Sequence, residues 1–84
     1  MDPFLGEIRL FGFNWAPNNW QLCQGQLMNI SEYTALFSVL GTNYGGDGIK
    51  TFALPDMRGL AMKAANGEVS SWCIAIQGVY PSRP

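Results

Sequence analysis

The sequence predicts a small α+β domain in which one helix, at about residues 31–40, packs on a mixed, loop-rich β-sheet. Three observations carry this prediction. Short runs rich in Ile, Leu, Phe and Trp recur along the chain and are broken by Gly, Pro and Asn, as strands and turns are. Ser31–Leu40 is the one clear segment with apolar residues at helical spacing. The chain has 84 residues with no internal repeat or linker, so a single domain is expected over 1–84.

Taken in order, Gly6–Phe11 is expected as a strand with Ile8 and Leu10 on one face. Gly12–Asn19 is rich in bend-forming residues and is expected as a turn region. Trp20–Cys23 is a short extended piece with Trp20 and Leu22 on one face. Gln24-Gly25-Gln26 is a tight turn with Gly25 at positive φ, after which Leu27–Ile30 is again extended.

In the helix, Ser31 can cap free N–H groups, Glu32 suits the positive end of the dipole, and Gly41 can stop it in left-handed conformation. Leu36, Val39 and Leu40 form its apolar stripe, continued by Tyr33 and Phe37. So short a helix needs a surface to dock on.

Beyond a glycine-rich run, Thr51–Leu54 is expected as a strand ended by Pro55, and Asp56–Gly59 as a turn. Leu60–Ala64 reads as strand or helical turn, and Asn66-Gly67 is a hairpin signal. Ser71–Val79 alternates Trp72, Ile74 and Ile76 with Cys73, Ala75 and Gln77, and is expected to be the longest, central strand. An extended tail closes at Pro81 and Pro84.

Composition excludes several function classes. Net charge is −1 and the five basic residues are scattered, so no stripe exists to neutralise a nucleic-acid backbone. No apolar stretch is long enough to span a membrane. Asp2, Glu7 and Arg9 interrupt the first ten residues, which lack the apolar core of a signal peptide, so synthesis in the cytoplasm without a cleaved leader is expected. Apolar residues make up 48% of the chain and charged ones 13%, little charge for a body with so much surface. A chain of this size needs a supplement to its core, and a partner subunit is the leading one.

Catalysis is not expected, because a Ser, Cys or Thr nucleophile normally needs a positioned base and the chain has no His. Asp47 and Asp56 can in principle act as a carboxylate pair, but both sit in turns, where carboxylates bond backbone N–H groups. Gly45, Gly46, Asp47 and Gly48 do not make a phosphate loop, since no Lys-Ser/Thr follows and the helix precedes them, and one aspartate is too few ligands for calcium. A geometric role is expected, the glycines permitting positive φ. Arg58 is expected to clamp Asp56, or else to meet a subunit or ligand. No metal or other cofactor is expected. Cys23 and Cys73 allow two arrangements, a disulfide closing a long loop or a pair of buried thiols. Phe11, Phe13, Trp15 and Trp20 flank an Asn-rich turn, a combination that can pack as a core and interface cluster or stack on sugars.

The segments GEIRLFGFNWAPNNWQLCQGQLMNIS and EYTALFSVLGTNYGGDGIKTFALPDMRG resemble the phage tail-collar domain, which occurs in short tail fibres and in microcystin-dependent-type bacterial proteins. W-x-L-C-x-G-Q, T-A-L-F-S-x-L-G-T-x-Y-G-G-D-G and T-F-x-L-P-D-x-R-G occur in that order, and the ending IAIQGVYPSRP is similar to the last strand of the bacterial members. Three departures stand out. Gln24 occupies a position where the family commonly has Asp, and Leu60-Ala61-Met62 replaces a basic residue and proline. The usual long central region, with the histidines that hold a metal on the trimer axis of a tail-fibre relative, is absent. The resemblance therefore implies a shortened member: a collar motif over residues 1–59, a connection over 60–71 and a C-terminal strand over 72–80.

The resemblance implies a non-enzymatic structural module that self-associates as a homo-oligomer, a trimer or an open polymer such as a fibre or filament, in a phage-like particle or extracellular assembly. The alternative is a small carbohydrate-binding or surface-adhesion module that meets glycans through Trp15, Trp20 and Tyr44. Candidate oligomer or ligand contacts are Trp15, Trp20, Tyr44, Arg58, Trp72 and Tyr80.

Overall fold

The computed structural model describes residues 2–60, 63–64, 67–68 and 70–83. The chain runs β1 (Ile8–Phe11), β2 (Trp20–Leu22), β3 (Leu27–Asn29), α1 (Thr34–Leu40), β4 (Thr51–Ala53), β5 (Lys63–Ala64), β6 (Gly67–Glu68) and β7 (Ser71–Ala75). Strands β1, β7 and β2 form one sheet with β7 in the middle, β3 pairs with β4, and β5 pairs with β6, all antiparallel. This is the expected α+β class, with one helix among the described residues. In the β5–β6 pair Lys63 stands opposite Glu68 and Ala64 opposite Gly67; Asn66 of the expected hairpin turn, like Ala61, Met62 and Pro84, lies outside the described residues.

The central place of β7 follows from its hydrogen bonds. Ala75 N donates to Glu7 O on one side, while Ile76 N donates to Asn19 O and Trp72 O accepts from Cys23 N on the other. Odd-numbered residues of β7 thus bond β1 and even-numbered ones bond β2, as alternation in an antiparallel ladder requires. The register sets Ile8 against Ile74 and Leu22 against Cys73.

Both faces of β7 are covered. On the inner face Ile74, at 0% exposure, joins Leu5, Cys23, Met28, Leu36, Leu40, Phe52 and Leu54 in the core. On the outer face Cys73 and Ala75 are buried as well. The alternation of Trp72, Ile74 and Ile76 with Cys73 and Ala75 therefore separates two packed faces.

The helix is shorter than the periodicity indicates. Residues before it form tight turns, with Tyr33 N donating to Asn29 O and Ile30 O and Thr34 Oγ1 to Ile30 O. The cap position falls to Tyr33, which makes no side-chain cap bond, so Ser31 does not cap. Glu32 lies outside the first turn and accepts from Asn29 Nδ2. Gly41 ends the helix at φ 58°, its N–H donating to Phe37 O. The stripe docks as expected: Leu36 and Leu40 are buried, and the Phe37 ring lies 5.5 Å from that of Phe52. The chain ends are tied together by a parallel bridge between Phe4 and Val79, with Leu5 N donating to Val79 O and Val79 N to Pro3 O.

Candidate functional site

The outer face of the β1–β7–β2 sheet carries the aromatic residues. Because β7 presents only Ser71, Cys73 and Ala75 there, large side chains from the flanking strands meet above it. Phe11 of β1 and Trp20 of β2 make an edge-on contact at 5.0 Å. Phe11 stacks on Phe13 at 5.1 Å, and Phe13 on Trp15 at 4.5 Å. The Arg9 guanidinium lies 5.3 Å from the centre of the Trp20 ring. Ser71 Oγ donates to Phe13 O and pins the start of the turn region. The four aromatics thus form one continuous chain of ring contacts, a second small core with Trp15 at its exposed end.

The glycine loop is organised by one carboxylate. Asp47 Oδ1 accepts from the N–H groups of Ile49, Lys50 and Thr51 at 2.8, 2.8 and 3.0 Å. The Thr51, Lys50 and Ile49 amides, in that order of effect, hold the Asp47 carboxyl down at about 2. Ala53 N donates to Gly45 O, so the loop runs back along β4. Gly46 sits against Phe52 at φ +93°, in left-handed conformation, which glycine adopts at no steric cost.

The turn after Pro55 is joined to the turn after Cys23. Gln24 and Asp56 form an antiparallel bridge, Gly25 N donates to Pro55 O, and Met57 N donates to Cys23 O. Gly25 is at φ +73°. Arg58 binds Asp56 through two parallel bonds, Nε to Oδ1 at 2.9 Å and Nη2 to Oδ2 at 2.7 Å, and its backbone N–H also reaches Oδ1. The Arg58 side chain, then its backbone N–H, holds the Asp56 carboxyl at about 2, and Asp56 raises Arg58 in turn. The clamp is solvent-exposed, so its value is geometric more than energetic.

Of the two arrangements open to the cysteines, the structure holds free thiols, both buried. Register supplies the reason. Leu22 stands opposite Cys73 and the Cys23 N–H bonds Trp72, so Cys23 and Cys73 occupy adjacent rungs and point to opposite faces of the sheet. Burial, and secondarily the neighbouring Cys73, pushes the Cys23 thiol up to about 11.

The six candidate contact residues do not share one surface. Trp15 and Tyr44 are exposed, and Trp20 is half-buried under Arg9. Trp72 is half-buried on the core side and donates Nε1–H to Leu60 O. Arg58 is engaged by Asp56. Tyr80 OH lies 2.7 Å from Ser38 Oγ, and since Ser38 donates to Ala35 O, the tyrosine is the donor that ties the C-terminal segment to α1. The structure also exposes apolar residues not singled out from sequence: Phe4, Leu27, Ile49, Leu60 and Val79. Ile49 carried a legible signal, an apolar residue directly after a glycine turn with nothing local to pack against.

Among the described residues, no group of three or more His, Cys, Asp or Glu stands together to hold a metal ion, and no helix is long and apolar enough to cross a membrane. The two turn carboxylates are thus engaged within their own turns, and apolar side chains remain on the surface. The chain belongs to the phage tail collar domain family, whose model matches residues 6–62. Tail collar domains are structural modules of phage tails, associated with oligomeric fibre assemblies. No curated protein and no solved structure matches the chain.

Proposed function

We propose that the protein is a non-enzymatic assembly module of a phage-tail-type fibre or particle and associates with copies of itself into a homo-oligomer, fibre or filament. The observation that carries this reading is the number of large apolar side chains left exposed. Phe4 and Val79 are bridged to one another, with Tyr80 next in the chain. Leu27, Tyr44 and Ile49 lie on the β3–β4 ribbon and its glycine loop. Single exposed hydrophobics are ordinary, but so many of them on a chain with 13% charged residues favour association. The absence of histidine from the sequence argues against acid–base or nucleophilic catalysis.

Size-exclusion chromatography with light scattering, followed by negative-stain microscopy, tests the proposal. A species larger than the monomer is expected at micromolar concentration. Phe4→Ser with Val79→Ser, or Leu27→Ser with Ile49→Ser, is expected to weaken it without loss of fold. A clean monomer would overturn the reading.

A further inference from the structure

The two edges of the three-stranded sheet are not equivalent. On the β2 edge, the outward groups belong to Trp20 and Leu22, because Asn19 and Cys23 bond β7. That edge is partly closed by its own turns. Trp20 N donates to Pro17 O, and Leu22 O accepts from Gln26 Nε2 at 2.7 Å and from Gln24 N at 3.1 Å.

The β1 edge is built differently. Gly6 N donates to Ala75 O while Ala75 N donates to Glu7 O, so two residues face one: a bulge opened by Gly6 at φ +84°. This bulge sets the phase of the strand. Arg9 and Phe11 bond inward to Cys73 and Ser71, and the N–H and C=O groups of Ile8 and Leu10 point away from the sheet. Among the described residues no other strand pairs there. Natural edges of this kind are normally covered or blunted.

We propose that the β1 edge pairs with the same edge of a second copy of this chain, antiparallel and centred on Ile8. The proposal deepens the self-association reading and rests on it. Charge selects the register. Glu7 and Arg9 project from the same face of β1, where Arg9 Nε donates to Glu7 Oε2 at 3.1 Å. Centred on Ile8, the pairing sets each Glu7 opposite the Arg9 of the other copy, on the closely spaced rungs, and joins two ion pairs into a four-charge network. Centred on Arg9, it would set the two arginines against each other, which is destabilising. The two Ile8 residues exchange backbone hydrogen bonds at the centre. Such a contact is isologous and closes on itself, so the sheet does not run on head-to-tail through it. Larger assemblies then require a different surface, such as the apolar groups described above.

The test is sedimentation or light scattering of the full chain across a dilution series, with near-ultraviolet circular dichroism as the check on fold. Arg9→Glu sets Glu7 against glutamate and is expected to weaken self-association about tenfold or more. The swap Glu7→Lys with Arg9→Glu is expected to restore it. Leu10→Pro, which removes an outward N–H at a position edge strands tolerate, is expected to weaken it as well. Unchanged association in Arg9→Glu would overturn the edge contact while leaving self-association standing, and so would failure of the swap to rescue. A monomeric wild type would remove both.

Discussion

Gly46 lies so close to Phe52 that a Cβ added to it would stand 2.4 Å from the Phe52 Cα, with φ at +93°. The three nearest atoms, Phe52 Cα, Thr51 O and Phe52 N, are all backbone, and Phe52 is itself at 0% exposure in the core. The glycine loop is thereby seated on β4 at one point that no side chain can occupy. Gly46→Ala is expected to cost about 3 kcal/mol or more, combining left-handed strain with displacement of β4. Gly12, which has nothing within 4 Å of its would-be Cβ, is the control, and Gly12→Ala is expected to change stability by no more than about 0.5 kcal/mol. Denaturant unfolding of the two variants measures the contrast.

The loop carboxylate predicts an acid-sensitive stability. Asp47 titrates at about 2 in the folded chain against an ordinary 3.8, and Asp56 does the same. A depressed carboxyl contributes stability that is present above its ordinary value and lost as pH falls toward the folded one. The melting temperature is therefore expected to fall between about pH 4 and about pH 2. Asp47→Asn keeps an acceptor oxygen but does not titrate there, so its melting temperature should fall less over the same window. Parallel slopes for wild type and variant would remove Asp47 as a source.

The thiols predict a reactivity pattern. With Cys23 at about 11 and 2% exposed, almost none of it is thiolate at neutral pH. Native protein is expected to label slowly with a thiol reagent, and denatured protein to label at both Cys23 and Cys73 without prior reduction. Reductant should leave the melting temperature unchanged. A denatured, unreduced protein with no reactive thiol would show a disulfide instead.

Core and surface leucine-type residues should separate sharply. Leu36, at 1% exposure on α1, joins the helix to the core around Phe52 and Leu54. Leu36→Ala is expected to cost about 2–5 kcal/mol through lost burial and a residual cavity. Ile49, at 81% exposure, should tolerate alanine within about 0.5 kcal/mol, while losing part of any self-association.

Much of this architecture was legible before folding. Gly25 and Gly41 signalled positive φ, Pro55 signalled the end of β4, and the run to Val79 signalled a central strand, because glycine and proline act through local sterics. Helix length was less legible: Ser31 and Glu32 have the composition of a helix start, but Asn29 and Ile30 carbonyls capture the following amides in tight turns. At the candidate surface, the stack of Phe11, Phe13 and Trp15 followed from proximity in sequence, whereas Trp20 joins Phe11 across β7. Trp72 and Tyr80 were different, since their partners Leu60 and Ser38 are remote in the chain.

By itself the sequence determined the order of elements, the turn chemistry of Gly45–Gly48 and Asp56–Arg58, and membership of the collar family, all of which depend on neighbours along the chain. Tertiary structure decided what lies across it. It buried both faces of β7, sent Cys23 and Cys73 to opposite sides of the sheet, tied part of the β2 edge into its own turns and, among the described residues, left the β1 edge without a strand partner. These outcomes depend on register, and register is set by the bulge at Gly6 and by contacts between residues more than sixty positions apart, such as Ile8 and Ile74. No local pattern encodes such pairings, because a strand's alternation records that it has two faces and not what covers either one.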